Sequence, residues 1–294
     1  MDAVRDVRAG KGPAAEVLLT GGGQVTVRGT SEEVLTLLRG ATPVDPDAPV
    51  SALRLSQLDL ALKAGTTQRY ISFIESGRSA PGRDVVIRLG ESLGLPLRDR
   101  NDLLLKAGYA PAYPETPLGS DDLAPVRGAL QHILHAHLPY PAIIVDRYGD
   151  IVAANAAQRI LFEGTAEHLR ANAYRLALHP DGMAPRIANF AEWARHVLNN
   201  LETALARSPD DRLAALLAEL NGYVLPPRDT RGPLGFAVPL ELRSSSGRLR
   251  LMTTITSFAT AVDVTLSELR LEAFLPADQA TAAVLMREGR EAGA

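Results

Sequence analysis

The chain has 294 residues, a formal net charge of −3 and no cysteine. That length accommodates about two domains, and the lack of thiols excludes disulfides and thiolate metal sites. No apolar run is long enough to span a bilayer and the first residues lack a signal-peptide pattern, so the expectation is a cytoplasmic protein with no membrane partner.

Residues 1–50 read as a divergent segment and linker. Glu16–Thr20 and Gln24–Arg28 are β-rich runs separated by Gly21, Gly22 and Gly23, the pattern of a hairpin. Ser31, followed by Glu32, Glu33 and the apolar Val34, Leu35, Leu37 and Leu38, predicts a short capped helix. Pro43, Pro46 and Pro49, interleaved with Asp45 and Asp47, then form a linker.

Residues 55–78, LSQLDLALKAGTTQRYISFIESGR, spell a helix-turn-helix. Ser56 stands where a helix cap belongs, before an apolar face of Leu60, Ala61 and Ala64. Gly65 marks the sharp turn, and a second helix over about Thr67–Ser76 buries Ile71 and Ile74. Gln and Arg at the start of that helix, Gln68 and Arg69, are the side chains that form bidentate contacts with adenine and guanine edges. Gln57, at the amino end of the first helix, is placed for a phosphate, and Arg78 and Arg83 flank the following loop. The DNA-binding candidates are therefore Gln57, Thr67, Gln68, Arg69, Tyr70, Ser72, Arg78 and Arg83. The rival reading is a helical hairpin whose polar face meets only water. Local charge favours double-stranded DNA as partner: from Arg54 to Leu89 six cations stand against three anions, although the whole chain is acidic. So small an excess predicts modest affinity per reader, hence a homodimer.

Two more helices are predicted, from about Arg83 to Leu93, with Val85, Val86, Leu89 and Leu93 inward, and from Leu97 to Ala107. Tyr109–Pro117, with three prolines, is the domain boundary. Beyond it the pattern alternates between α and β. Ala124–His137 is a helix; Ala142–Asp146 and Asp150–Ala154 form a hairpin; Asn155 caps the next helix. Helical patterns follow at Leu169–Leu178, Ile187–Ala206 and Asp211–Leu220, then strands at Gly235–Arg243, Arg248–Phe258 and Leu269–Leu275, and a helix at Asp278–Glu288. A hairpin, a helical block and a three-strand meander are the order of a PAS-type sensor, whose sheet leaves an apolar pocket against its helices.

Candidate chemistry is sparse. His132 and His135 share a helix face but His137 points elsewhere, so no metal site is assigned. The pairs Asp121, Asp122 and Asp210, Asp211 stand at helix starts and read as caps, and no phosphate loop follows a strand. No catalytic set and no cofactor is predicted. The loop entering the longest helix is more informative: His179, Arg186 and Asn189 are candidates for a ligand headgroup, with Phe190, Trp193, Val197, Phe236 and Phe258 lining an apolar cavity. In the competing reading Arg186 and Asn189 fasten the helical block to the sheet and Trp193 is ordinary core.

The segments LSQLDLALKAG, ISFIESGRSAPGRDVV, LPLRDRNDLLLKAGYAPAYPETPL, PYPAIIVDRYGDIVAAN, LALHPDGMAPRIANFAEWARHVL and TTITSFATAVDVTLSELRLEAFLPAD resemble the XRE-class helix-turn-helix regulators that carry an MmyB-like ligand-binding domain. The resemblance spans residues 53–289. It implies a bacterial one-component transcriptional regulator, not an enzyme, that dimerises on DNA and responds to a small apolar or amphipathic ligand. The expected fold is α+β: an all-α helix-turn-helix domain at 51–110, then a PAS-like α+β sensor domain at 118–290. One feature departs from the family pattern. Relatives carry a basic helix before LSQ, whereas Val50–Leu55 and a proline-rich linker stand here. Either Ser31–Leu38 folds back to replace that helix, or the reader is incomplete and the chain is a protein-interaction module that has lost DNA binding.

Overall fold

The computed structural model describes residues 4–9, 14–19, 24–28, 55–224, 238–258 and 261–291. The expected Ser31–Leu38 helix and the proline linker lie outside the described residues. The chain divides into two compact units, Met1–Pro114 with Ala206–Pro209, and Glu115–Leu205 with Asp210–Ala294.

In the first unit, β1 (Val4–Ala9), β2 (Ala14–Leu19) and β3 (Gln24–Arg28) form an antiparallel sheet in that order. The β2–β3 hairpin matches the expectation from sequence; β1 was not predicted. Four helices follow: α1 (Gln57–Lys63), α2 (Gln68–Glu75), α3 (Arg83–Ser92) and α4 (Leu97–Lys106). Ser56 closes a capping box on α1: its hydroxyl accepts from the Asp59 amide at 3.1 Å, and the Asp59 carboxylate accepts from the Ser56 amide at 3.2 Å. At the other end Gly65 takes φ +61°, so that the Thr66 amide bonds back to the Ala61 carbonyl at 2.8 Å. This six-to-one closure turns the chain within two residues into Thr67, whose hydroxyl caps α2. The same closure ends α2 at Gly77, where the Arg78 amide bonds to Phe73 O at 2.8 Å. Ala61, Ala64, Ile71, Val86 and Leu104 make the core. Leu93, expected inward, is 40% exposed: it is the C-cap of α3, past the end of the apolar stripe.

The second unit is a five-stranded antiparallel sheet in the order β5-β4-β8-β7-β6, dressed with helices. Its elements are α5 (Ala124–Ala136), β4 (Ala142–Val145), β5 (Ile151–Ala154), α6 (Arg159–Phe162), α7 (Ala173–Leu178), α8 (Phe190–Arg207), α9 (Asp211–Tyr223), β6 (Leu240–Ser244), β7 (Gly247–Ser257), α10 (Val264–Glu268), β8 (Arg270–Pro276) and α11 (Gln279–Glu291). Alternation along each strand sorts the side chains into two layers. Ile143, Val145, Leu240, Leu242, Leu249, Leu251 and Phe274 pack on the inner side with Leu176, Met183, Ile187, Trp193 and Leu285. Ala142, Ile144, Leu271 and Ala273 pack on the outer side with Leu130 and Leu134 of α5. A third cluster joins α7, α8 and α9 through Leu178, Ala194, Leu198, Leu201, Leu213, Leu216 and Leu220.

Several boundaries differ from the sequence reading. The Leu169–Leu178 pattern divides into a 3-10 turn at Glu167–Leu169 and α7. The strand expected from Gly235 begins at Leu240 among the described residues, and α10, which Asp263 caps through the Leu266 amide at 3.2 Å, was missed. Asn155 stands at the N-cap position of the 3-10 turn Ala156–Gln158 that leads into α6, but its side chain makes no capping bond. It is buried, and its carboxamide donates to Leu134 O at 3.1 Å and Tyr140 O at 2.8 Å while accepting from the Ala142 amide at 3.2 Å. It thereby ties the end of α5 to the first residue of β4.

Candidate nucleic-acid interface and ligand site

The candidate reading surface is the amino end of α2. Because Thr67 caps it, accepting from the Tyr70 amide at 3.2 Å, Gln68 and Arg69 occupy its first two positions, both exposed. Ile71 is the residue the helix buries, so Tyr70 and Ser72 on either side are left half-buried. The Gln68 carboxamide makes no hydrogen bond among the described residues and is free to meet a base edge. Arg69 and Arg78 both lie over the ring of Phe73, at 5.1 and 6.0 Å from its centroid. Sequence reasoning missed Phe73; the signal available was its i, i+4 spacing from Arg69. The Phe73 carbonyl also accepts from the Ser79 amide at 3.1 Å and the Ser76 hydroxyl at 3.3 Å, so one residue organises both the loop and its two cations. Arg83 is exposed at the first position of α3.

Gln57 is less available than its position suggested. Its carboxamide donates to the Glu75 carboxylate, pinning the start of α1 to the end of α2. One of its two N–H groups is committed, which leaves the second for a phosphate. Burial pushes the Glu75 carboxyl up, and the bond from Gln57 works against that shift.

In the second unit the residues assigned to a headgroup do not converge. The His179 ring accepts from the Asp181 amide at 3.0 Å and stands edge-on to Tyr223, centroids 4.6 Å apart. Arg186 donates to the carbonyls of Ile160 at 3.2 Å, Leu161 at 2.5 Å and Arg243 at 3.4 Å; burial lowers its pKa, with Glu163 opposing. Asn189 donates to Pro239 O at 2.8 Å and accepts from the Glu241 amide at 3.1 Å. Arg186 and Asn189 fasten the helical block to β6 and α6, whereas His179 is engaged within its own loop and against α9, so the three do not meet at one point. Phe190, Trp193 and Val197 do belong to the inner layer. Phe258 packs in the outer cluster with Leu266, on the opposite face of the sheet, and cannot line a cavity with Trp193. Phe236 lies outside the described residues.

The sequence reading also missed a polar stripe on the inner face. Tyr174, Arg270 and Glu272 meet there: Arg270 donates to the Tyr174 hydroxyl at 3.3 Å, and burial pushes the Tyr174 hydroxyl and the Glu272 carboxyl up. Strand alternation alone would have assigned Glu272 to the layer of Phe274, but a charged residue in a core register reads from sequence as an irregularity.

A family model described as the MmyB-like transcription regulator ligand binding domain matches residues 126–287, and one described as helix-turn-helix matches residues 52–99. Comparison with curated proteins returns no match. A solved structure titled as that of an RNA-binding light-oxygen-voltage receptor is 15% identical, over 94% of this chain and 74% of its own, with a TM-score of 0.24; at that score no structural conclusion attaches to it.

Proposed function

We infer the function of this chain from its family: it belongs to the transcription regulators with an MmyB-like ligand-binding domain, here behind a helix-turn-helix, and is a ligand-responsive DNA-binding regulator. The finer reading is of a one-component switch. Residues 51–110 read sequence through Gln68 and Arg69, and residues 118–290 take a small amphipathic ligand. Two copies of the chain place two readers on one operator. The observation that carries this reading is the capped α2, which presents an unbonded Gln68 and a ring-supported Arg69 at its amino end. Ligand control requires that the ligand bind the two arrangements of a dimer with different affinity.

The test is a titration of a fluorescent copy of the DNA upstream of this chain's own coding region, at several salt concentrations. Gln68→Ala is expected to relax base preference, whereas Gln57→Ala weakens binding to specific and random DNA alike; equal losses on both DNAs for both variants would remove this division of roles. Leu58 and Leu62, 50% and 70% exposed four residues apart on α1, support a second reading in which this helix meets a protein. That reading gains if the folded chain shows no salt-dependent DNA binding.

A further inference from the structure

The segment that joins the two units is fastened at both of its ends. Gly108, at φ +84°, closes α4 with the Tyr109 amide bonded back to the Leu104 carbonyl at 2.9 Å, and the Tyr109 hydroxyl donates to Pro81 O at 2.9 Å. Asn101, in the middle of α4, uses both ends of its carboxamide on the chain beyond. Its Oδ1 accepts from the Ala112 and Tyr113 amides, each at 3.0 Å, and its Nδ2 donates to the Tyr113 carbonyl at 2.7 Å. Arg100 beside it donates to the Tyr113 hydroxyl at 3.3 Å. All of these bonds lie within the first unit, whose main run ends at Pro114.

The other end belongs to the second unit, where the Thr116 amide donates to Asp263 Oδ2 at 3.0 Å. Asp263 is buried and serves two segments, because its Oδ1 accepts from the Leu266 amide at 3.2 Å and so caps α10. The two amides fall on different oxygens, so a carboxamide in this place would set a donor against one of them. Helix α10 leads into β8, the middle strand of the five. Beyond Thr116 the chain stays fastened, since Arg127 of α5 donates to Leu118 O at 2.8 Å. Only Pro114 and Glu115 stand between the two anchored residues. Pro114 has its φ fixed and confines Tyr113 to extended backbone, and Pro117 confines Thr116 in the same way. From 113 to 117, Glu115 alone carries no proline restriction. Such a connection passes a displacement on, where a Gly- or Ser-rich one would absorb it.

We propose that residues 109–116 are a coupling strap with Asn101 and Asp263 as its positioning residues. A change in α10 and β8 of the sensor moves Thr116 and, through Glu115 and Pro114, reaches Asn101 and α4 of the reader. The proposal rests on the reading of the chain as a ligand-responsive regulator and names the route between its two units. Its physical content is that neither anchor opens alone.

Native-state hydrogen exchange of the full chain tests this without any ligand. Asn101→Ala leaves a good helix former in α4 and releases the first anchor. Asp263→Asn keeps a capping oxygen for α10 and sets an N–H group against the Thr116 amide. Each variant is expected to loosen the far anchor as well as its own. Exchange should quicken at Thr116 in Asn101→Ala, and at Ala112 and Tyr113 in Asp263→Asn, by about 5-fold, the factor that one net hydrogen bond supplies. Unchanged exchange in α2 and in the β6–β7 hairpin establishes that the rest of the fold is intact. Should Asp263→Asn fold poorly, Asn101→Ala decides alone, through Thr116. Loosening confined to the mutated end overturns the proposal. Saturation of the wild type with the upstream DNA fragment should slow exchange at Thr116 and Ser267, because coupling is reciprocal, and should not do so in Asn101→Ala. DNA that binds the wild type without that change also overturns the strap. Absence of DNA binding with the far-end loosening intact fails the regulator reading alone; DNA binding with loosening only at the mutated end fails the strap alone.

Discussion

Arg69 and Arg78 share one aromatic ring, and this sets what Phe73 would contribute to the proposed DNA contact. A guanidinium over an exposed ring gains about 0.5–1 kcal/mol, and less of its rotamer entropy remains to be lost when it meets a base or phosphate. Phe73→Leu is therefore expected to weaken DNA binding several-fold without unfolding the domain, and Phe73→Tyr to retain it; the operator titration measures both. A second residue-scale prediction concerns pH. The Arg175 guanidinium holds the Glu219 carboxyl down to about 2 through paired bonds of 2.7 Å, with the Tyr223 hydroxyl adding a third. A carboxylate with a depressed folded pKa stabilises fully above its unfolded value, about 4.5, and loses that contribution as pH falls toward 2. The two side chains are 37% and 34% exposed, so solvent screening limits the pair to about 1 kcal/mol. Glu219→Gln should accordingly lower urea stability at pH 7 by about that amount, and by much less at pH 3.

The elements were legible in the sequence where a local rule governs them. Ser56, Gly65 and Thr67 each act through their own backbone, so the start of α1, the turn and the start of α2 fell close to their expected positions. The β6–β7–β8 meander was equally readable, since the Ser244–Gly247 turn joins neighbouring strands. What the pattern could not convey is which distant carbonyl a polar side chain reaches. Asn155, Arg186 and Asn189 look like caps or ligand groups by type, and only the tertiary fold brings main-chain partners to them. The same limit hid Glu272, whose meaning depends on the strand beside it. Asn155 gives the test at this scale. Asn155→Ala leaves the Tyr140 carbonyl and the Ala142 amide without their partner and takes one of two donors from the Leu134 carbonyl, at a cost of about 2–3 kcal/mol. If Asn155 were a helix cap, Asn155→Ser would restore most of the loss; tethering α5 to β4 predicts that it does not, as chemical unfolding of the two variants will decide.

For the whole molecule, the separation of reader and sensor into two compact units bears on how an acidic chain meets DNA. On the proposed reading the attraction comes from the local excess of cations around α2 and α3, and each phosphate neutralised adds about −0.9 to the slope of log affinity against log salt. Were two copies to bind together, as proposed, that slope would double and half-sites about 34 Å apart, one helical turn, would be favoured. Inserting half a turn between half-sites should therefore cost far more affinity than inserting a whole one. The sheet of the sensor unit has two unlike margins. Along β6 the Ala188 amide bonds to Glu241 O at 2.7 Å and Asn189 meets the same residue, so that margin is sealed. Along β5 the Ile151 amide bonds to Ala171 O at 2.7 Å, and from Val152 onward no bond across the outer margin is made among the described residues. Deuterium should accordingly enter this sheet asymmetrically, exchanging early at the outward-facing amides of β5 and late at Glu241, even though both strands are edges of the same sheet.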